Sequence, residues 1–153
     1  MKKTFFTLLM FLSVLSASAQ LKTIDLKVGV RNTFGIGCGV TIGVLDFIDF
    51  APNFNYFFTE NGSTFSADAD FHYNIELDDI WEIYPVVGGC LVHGRNRNGD
   101  GDTRNKLGTN VGGGVRYFLT DQVCVFGEIK HQFLFDSDKM DKTCFAVGVN
   151  LVL

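Results

Sequence analysis

Ala67-Asp68-Ala69-Asp70-Phe71-His72-Tyr73-Asn74-Ile75 alternates strictly between two kinds of side chain. Asp68, Asp70, His72 and Asn74 form one set, and Ala67, Ala69, Phe71, Tyr73 and Ile75 form the other. Successive residues of a strand face opposite sides of a sheet, so the stretch predicts a strand with one oily and one wet face. The same period of two returns in seven further segments.

The eight predicted strands cover 24–31, 34–44, 47–59, 64–75, 81–92, 107–119, 122–135 and 140–153. Ile24, Leu26, Val28 and Val30 oppose Asp25, Lys27, Gly29 and Arg31 in the first. The second sets Phe34, Ile36, Val40, Ile42 and Val44 against a row made mostly of glycine, which predicts bulky neighbours across from it. Phe50, Phe54, Tyr56 and Phe58 oppose Asp49, Asn53 and Asn55 in the third. Further on, Ile129, Phe133 and Phe135 oppose Glu128, Lys130 and Gln132. Pro52 and Pro85 each remove a ladder donor and predict a bulge or local irregularity. Asn61-Gly62 predicts a tight hairpin between the third and fourth strands.

Residues 1–19 read as a secretory signal peptide. Lys2 and Lys3 precede an apolar run, and Ala17-Ser18-Ala19 gives a small-residue cleavage site. Residues 20–153 are then one domain. Removal of the two lysines leaves eleven basic residues against seventeen acidic ones, a formal charge of −6. An acidic domain without a basic stripe is a poor nucleic-acid ligand. Beyond residue 19 no apolar run is long enough for a helical span, so any membrane crossing is made by strands.

Signal, alternation and an even strand count together predict an all-β fold. It is an eight-stranded antiparallel up-and-down transmembrane barrel, with lipid outside and a polar lumen filled by side chains. If the chain starts on the periplasmic side, Phe50, Tyr73, Trp81 and Tyr117 fall near the inner rim. Phe34, Tyr56, Phe58, Phe65, Phe133 and Phe135 fall near the outer one. Two aromatic belts match the two membrane–water boundaries.

The predicted lumen network is structural and comprises Asp25, Lys27, Arg31, Asp49, Asp68, Asp70, His72, Glu82, Arg116, Glu128 and Lys130. Charges of both signs buried together are expected to pair. Asp68, Asp70 and His72 with Cys90 resemble a catalytic group, but a triad needs a nucleophile beside the histidine. His131 has outward parity near the outer rim. No catalytic, cofactor or metal site is expected. Cys38 faces lipid by parity, whereas Cys90, Cys124 and Cys144 face inward; free thiols are expected, with bridging left open. The segment HGRNRNGDGDTRNK at 93–106 reads as the one long polar loop. Asn96, Asn98, Asp100, Gly101 and Asp102 there resemble only the start of a calcium loop, and the position for the bidentate acid is Leu107.

FNYFF at 54–58, IYPVVGG at 83–89, LGTNVGGGVRYFLTD at 107–121, and FGEIKHQF at 126–133 leading into FAVGVNLVL at 145–153 carry a family resemblance. The chain resembles the small outer-membrane β-barrel proteins related to the OmpA transmembrane domain and OmpX, in a form common among the Bacteroidetes. It departs from them in its final Leu153, where an aromatic is usual, and in its three inward cysteines. The resemblance implies a monomer in the cell outer membrane, delivered by the barrel-insertion machinery and in contact with outer-membrane lipids and lipopolysaccharide. It implies a non-enzymatic role in membrane integrity, adhesion or surface interaction, with the 93–106 loop as the surface for a partner. Two alternatives stand beside it. One is an outer-membrane lipid-modifying enzyme, which needs His72 or His131 beside a Ser or Cys. The other is a secreted lipocalin-like barrel for an apolar ligand, which needs the reverse polarity.

Overall fold

The computed structural model describes residues 20–60, 62–96, 104–135 and 142–153. The signal segment 1–19 and the residues 98–102 of the calcium-like motif lie outside the described residues. Nine strands are present among those described: β1 (Gln20–Val30), β2 (Phe34–Leu45), β3 (Ile48–Thr59), β4 (Gly62–Tyr73), β5 (Ile75–Glu76), β6 (Trp81–Asn96), β7 (Arg104–Phe118), β8 (Val123–Leu134) and β9 (Lys142–Val152). The two-residue β5 continues β4 past Asn74 and pairs with β6, so the wall has eight staves. Every stave pairs antiparallel with its sequence neighbours, and β1 pairs with β9 to close the cylinder. Closure leaves no sheet edge to template aggregation.

The oily rows face outward. Leu26 is 56% and Val147 59% exposed, while Lys27 is 7% and Asp70 0% exposed. This polarity excludes the lipocalin-like alternative, since a protein in water would turn its aliphatic rows inward. The inner face of β2 is glycine because its neighbours fill the space. A Cβ at Gly35 would meet the Phe57 ring, and those at Gly37 and Gly39 would meet the amide oxygens of Asn55 and Asn53. Gly114 has the same function, since a Cβ there would strike the Tyr84 ring.

The aromatic clusters form at both ends of the wall. Phe47 packs against Tyr73 at 5.4 Å and Trp81 against Tyr117 at 4.7 Å, near one rim. Phe34 and Phe58, 6.3 Å apart, lie toward the other.

Three local expectations are changed or narrowed. No bulge forms at Pro52, because β3 and β4 keep one register from Ile48↔Tyr73 to Thr59↔Gly62. The missing donor is absorbed on the β2 side, where the ladder skips from Gly39↔Asn53 to Ile42↔Phe50 without shifting. Pro85 likewise stays in register with Gly113 of β7. Its irregularity falls on the other side, between His72↔Val86 and Ile75↔Ile83, where Asn74 separates β4 from β5. The true register shifts lie at Leu21/Thr23 and Gly43/Leu45.

The third change concerns the expected loop over 93–106. β6 and β7 pair as far as Gly94↔Arg104, so residues 93–96 and 104–106 of that segment are strand, and 97–103 lie outside the described residues. Outside the hydrocarbon both faces of a strand can be polar, and His93 and Asn105 bond across the ladder. At the expected hairpin, Thr59 pairs with Gly62.

Candidate functional site

Four interlocking groups of side chains occupy the lumen. Strand pairing sets their order, because each inward residue is separated from the next on its strand by two positions.

The middle group is organised by Lys130 of β8. Its Nζ donates to Asp70 at 2.7 Å and to Asp68 at 3.2 Å, and stands 3.5 Å from Glu128. Lys27 of β1 is 3.9 Å from Glu128. Neutral donors complete the acids: Asn110 donates to Asp70 at 2.8 Å, Ser66 to Asp68 at 2.6 Å and Asn55 to Asp68 at 3.0 Å. Burial of an ion pair is tolerable only when such bonds satisfy the remaining lone pairs.

The second group is a stack. The Arg116 guanidinium lies over the Tyr84 ring, 4.2 Å from its centroid, and His72 stacks on the same ring at 4.7 Å. Arg116 donates to Glu82, to Asn74 at 3.1 Å and to His72 Nδ1 at 3.0 Å. Planar guanidinium suits this site because it can stack and hydrogen-bond at once.

The third group sits at the mouth where β1 begins, beside a vestibule of about 220 Å³. Lys22 bonds Asp49 at 2.6 Å, and Asn74 donates to the second oxygen of Asp49 at 2.6 Å. Asp25 belongs here too, and corrects the expectation that every buried acid meets a base. It accepts from Thr23 at 2.6 Å, from Thr41 at 2.9 Å and from Asn150, all neutral donors.

The fourth group closes the other end and is largely apolar. Cys90, Val92 and Leu134 pack together. Arg31 donates to Gln132 at 2.8 Å and lies 5.9 Å from the Phe57 ring.

Eleven residues were expected in the lumen, and Asp25, Lys27, Asp49, Asp68, Asp70, His72, Glu82, Arg116, Glu128 and Lys130 are all buried there. Arg31 is half-buried at its end. Lys22 was missed. By parity with Ile24 it should face lipid, but the register shift beside it turns its side chain into the mouth, where a Cβ on Gly43 would meet it. Its only signal in the sequence is a charge in an otherwise apolar row. Asn110 and Gln132 face inward as their parity predicts, and the neutral partners Thr41 and Asn150 join them without a charge to mark them.

The look-alike catalytic group does not assemble. Asp68 and Asp70 are taken by Lys130, whereas His72 is taken by Arg116 and Tyr84. Cys90 pairs across from Asp68, four residues along β4 from His72. His131 stays on the outer wall, bonded to the Thr143 hydroxyl at 2.9 Å and set edge-on to Phe133. All four cysteines are free. Cys124 and Cys144 are six rungs apart on the β8–β9 ladder, at Cys124↔Asn150 and Lys130↔Cys144. No cluster of three metal-ligating side chains occurs among the described residues.

A closed barrel with hydrocarbon-facing rows, aromatic rims and an ion-paired interior is a transmembrane β-barrel. The chain belongs to the family described as the outer membrane protein β-barrel domain, whose model matches residues 15–152. It is an integral outer-membrane barrel. No curated protein matches its sequence. Solved structures share the fold at low identity. The N-terminal β-barrel domain of Pseudomonas aeruginosa OprF is 16% identical with a TM-score of 0.72, over 89% of this chain and 98% of that one. Neisserial surface protein A gives 13% and 0.63, over 88% and 99%. Ail, the attachment invasion locus protein of Yersinia pestis, gives 10% and 0.58, over 88% and 97%.

Proposed function

We propose that this chain is a monomeric, non-enzymatic barrel that reinforces the outer membrane, and that it is exported by cleavage of residues 1–19. Its lumen network is structural: it braces the wall and blocks passage. The observation that carries this is the filled interior. Lys130 and Arg116 tie β4, β6, β7 and β8 together across the lumen, and the cavity beside Lys130 measures only about 20 Å³. A diffusion pore needs a continuous aqueous path, which an eight-stranded wall leaves no width for. Contacts to membrane lipid and lipopolysaccharide are made by the apolar rows and the aromatic rims, and assembly uses the barrel-insertion machinery.

A second role, surface interaction, is favoured by the β6–β7 hairpin. β6 stays paired with β4 to Gly62↔Asn96, and residues 104–106 of β7 run on past β8, whose last pair with β7 is Gly108↔Leu134, so the hairpin offers its β7 side beyond β8. The fold likeness to a protein named for attachment and invasion is consistent with that use.

Complementation of a deletion strain tests both roles. The strain is expected to become sensitive to detergent and to large hydrophobic antibiotics. The full chain and a variant with the hairpin cut back to Val92 and Lys106 are both expected to restore resistance. Normal resistance in the deletion strain would overturn the reinforcing role. Restoration by the full chain alone would make the hairpin the functional element.

A further inference from the structure

The two sides of the lumen network meet imperfectly between β1 and β8. Lys27 Nζ stands 3.9 Å from Glu128 Oε1, too far to donate a hydrogen bond. Lys130 Nζ stands 3.5 Å from the same oxygen, at the limit of hydrogen-bond distance, and already bonds Asp70 and Asp68 more closely, which leaves Glu128 Oε1 without a hydrogen-bond partner. Both Lys27 and Glu128 are more than nine-tenths buried. A buried carboxylate oxygen in that state calls for a donor.

A cavity of about 20 Å³ adjoins the gap, lined on its polar side by Lys27, Asn55, Asp68, Glu128, Lys130 and Gln132. A water molecule needs about 10–15 Å³ of such space and two to four polar partners. The site therefore has room for one water and for nothing larger.

The geometry points to a single resident water in this cavity, accepting from Lys27 Nζ and donating to Glu128 Oε1. The surrounding charges choose water over an ion. A bare cation would lie against the ammonium groups of Lys27 and Lys130. An anion would lie against the carboxylates of Asp68 and Glu128. Only a molecule that both accepts and donates satisfies Lys27 and Glu128 together, and water-bridged contacts of this kind are nearly as favourable as direct ones. Asn55 and Gln132 line the same cavity. The water joins β1 to β8 across the lumen, a link that strand pairing does not make because β9 lies between them.

Water–protein cross-relaxation measured by NMR on the full barrel in lipid nanodiscs tests this. The Ala146 methyl lines the cavity and does not exchange its protons with solvent. It is expected to show a cross-peak to water with the sign of a long-lived complex. Gly37→Ala fills the cavity edge, since its Cβ would meet Asn55 Oδ1 and lie 3.1 Å from Lys27 Cε. That variant is expected to lose the cross-peak while keeping the heat-dependent gel shift of a folded barrel. No cross-peak in the parent protein, or an equal one in both, overturns the assignment. So does a high-resolution crystal structure in which Lys27 donates directly to Glu128. Density within hydrogen-bond reach of both atoms supports it.

Discussion

Replacing Lys130 with methionine removes a cation that touches three buried acids. Asp70, Asp68 and Glu128 lie 2.7, 3.2 and 3.5 Å from its Nζ. Methionine matches the length of the lysine stem but supplies no charge. Breaking a buried ion pair by deleting one partner costs about 3–5 kcal/mol, because the surviving charge is left desolvated. Asn110, Ser66 and Asn55 still donate to Asp70 and Asp68, which holds the loss inside that range rather than above it. A loss of about 4 kcal/mol lowers the folded-to-unfolded ratio by about a thousandfold. Urea unfolding in phospholipid vesicles, followed by the heat-dependent gel shift and by the single Trp81, reads this directly. Adding Asp70→Asn to Lys130→Met should return part of the loss, as one of the stranded charges is gone. Lys22→Met is expected to cost less than Lys130→Met. Lys22 is 36% exposed, and Asp49 keeps its bond from Asn74. A Lys130→Met barrel within about 1 kcal/mol of the parent would refute the bracing role of the network, since such a value is typical of exposed pairs.

Gly114→Val should destabilise the barrel by about 1–3 kcal/mol in the same assay, since the added carbons overlap the Tyr84 ring that carries Arg116 and His72. Val147→Arg, at the middle of β9 on the lipid face, should cost about 2–4 kcal/mol in vesicles, the usual price of a cation near the bilayer midplane. In the folded barrel a membrane-permeant maleimide should label Cys38 fastest and leave the buried Cys90 and Cys124 unmodified, with all four reacting in urea. Gel mobility should not change with reductant, because the thiols are free.

Much of this fold is legible from alternation alone, because a barrel's two environments are separated by the period-two geometry of each strand. Lipid on one side and side chains on the other leave a mark at every position, as in Phe71 against Asp70. The signal is strongest where charge and aliphatic rows oppose each other, as in β1, β4 and β8. It fails where parity is broken or carries no contrast. Lys22 is the first case, for a single register shift reverses the face of one residue and no local residue type announces it. Residues 93–96 and 104–106 are the second, because strand beyond the hydrocarbon is polar on both faces and resembles loop.

Sequence by itself determined the number of staves, the sides of the wall and most of the charged residues inside. Pairing within that set was decided only by tertiary structure. Parity places Asp25, Asp70 and His72 on one inner surface, but their distances depend on how a tilted, closed wall brings distant strands face to face. That closure gives Lys130 to Asp68 and Asp70, seats Arg116 between Glu82 and His72, and leaves Asp25 to two hydroxyls and an amide. Side-chain alternation is a local property of the backbone, whereas a partner across a lumen is a property of the whole cylinder.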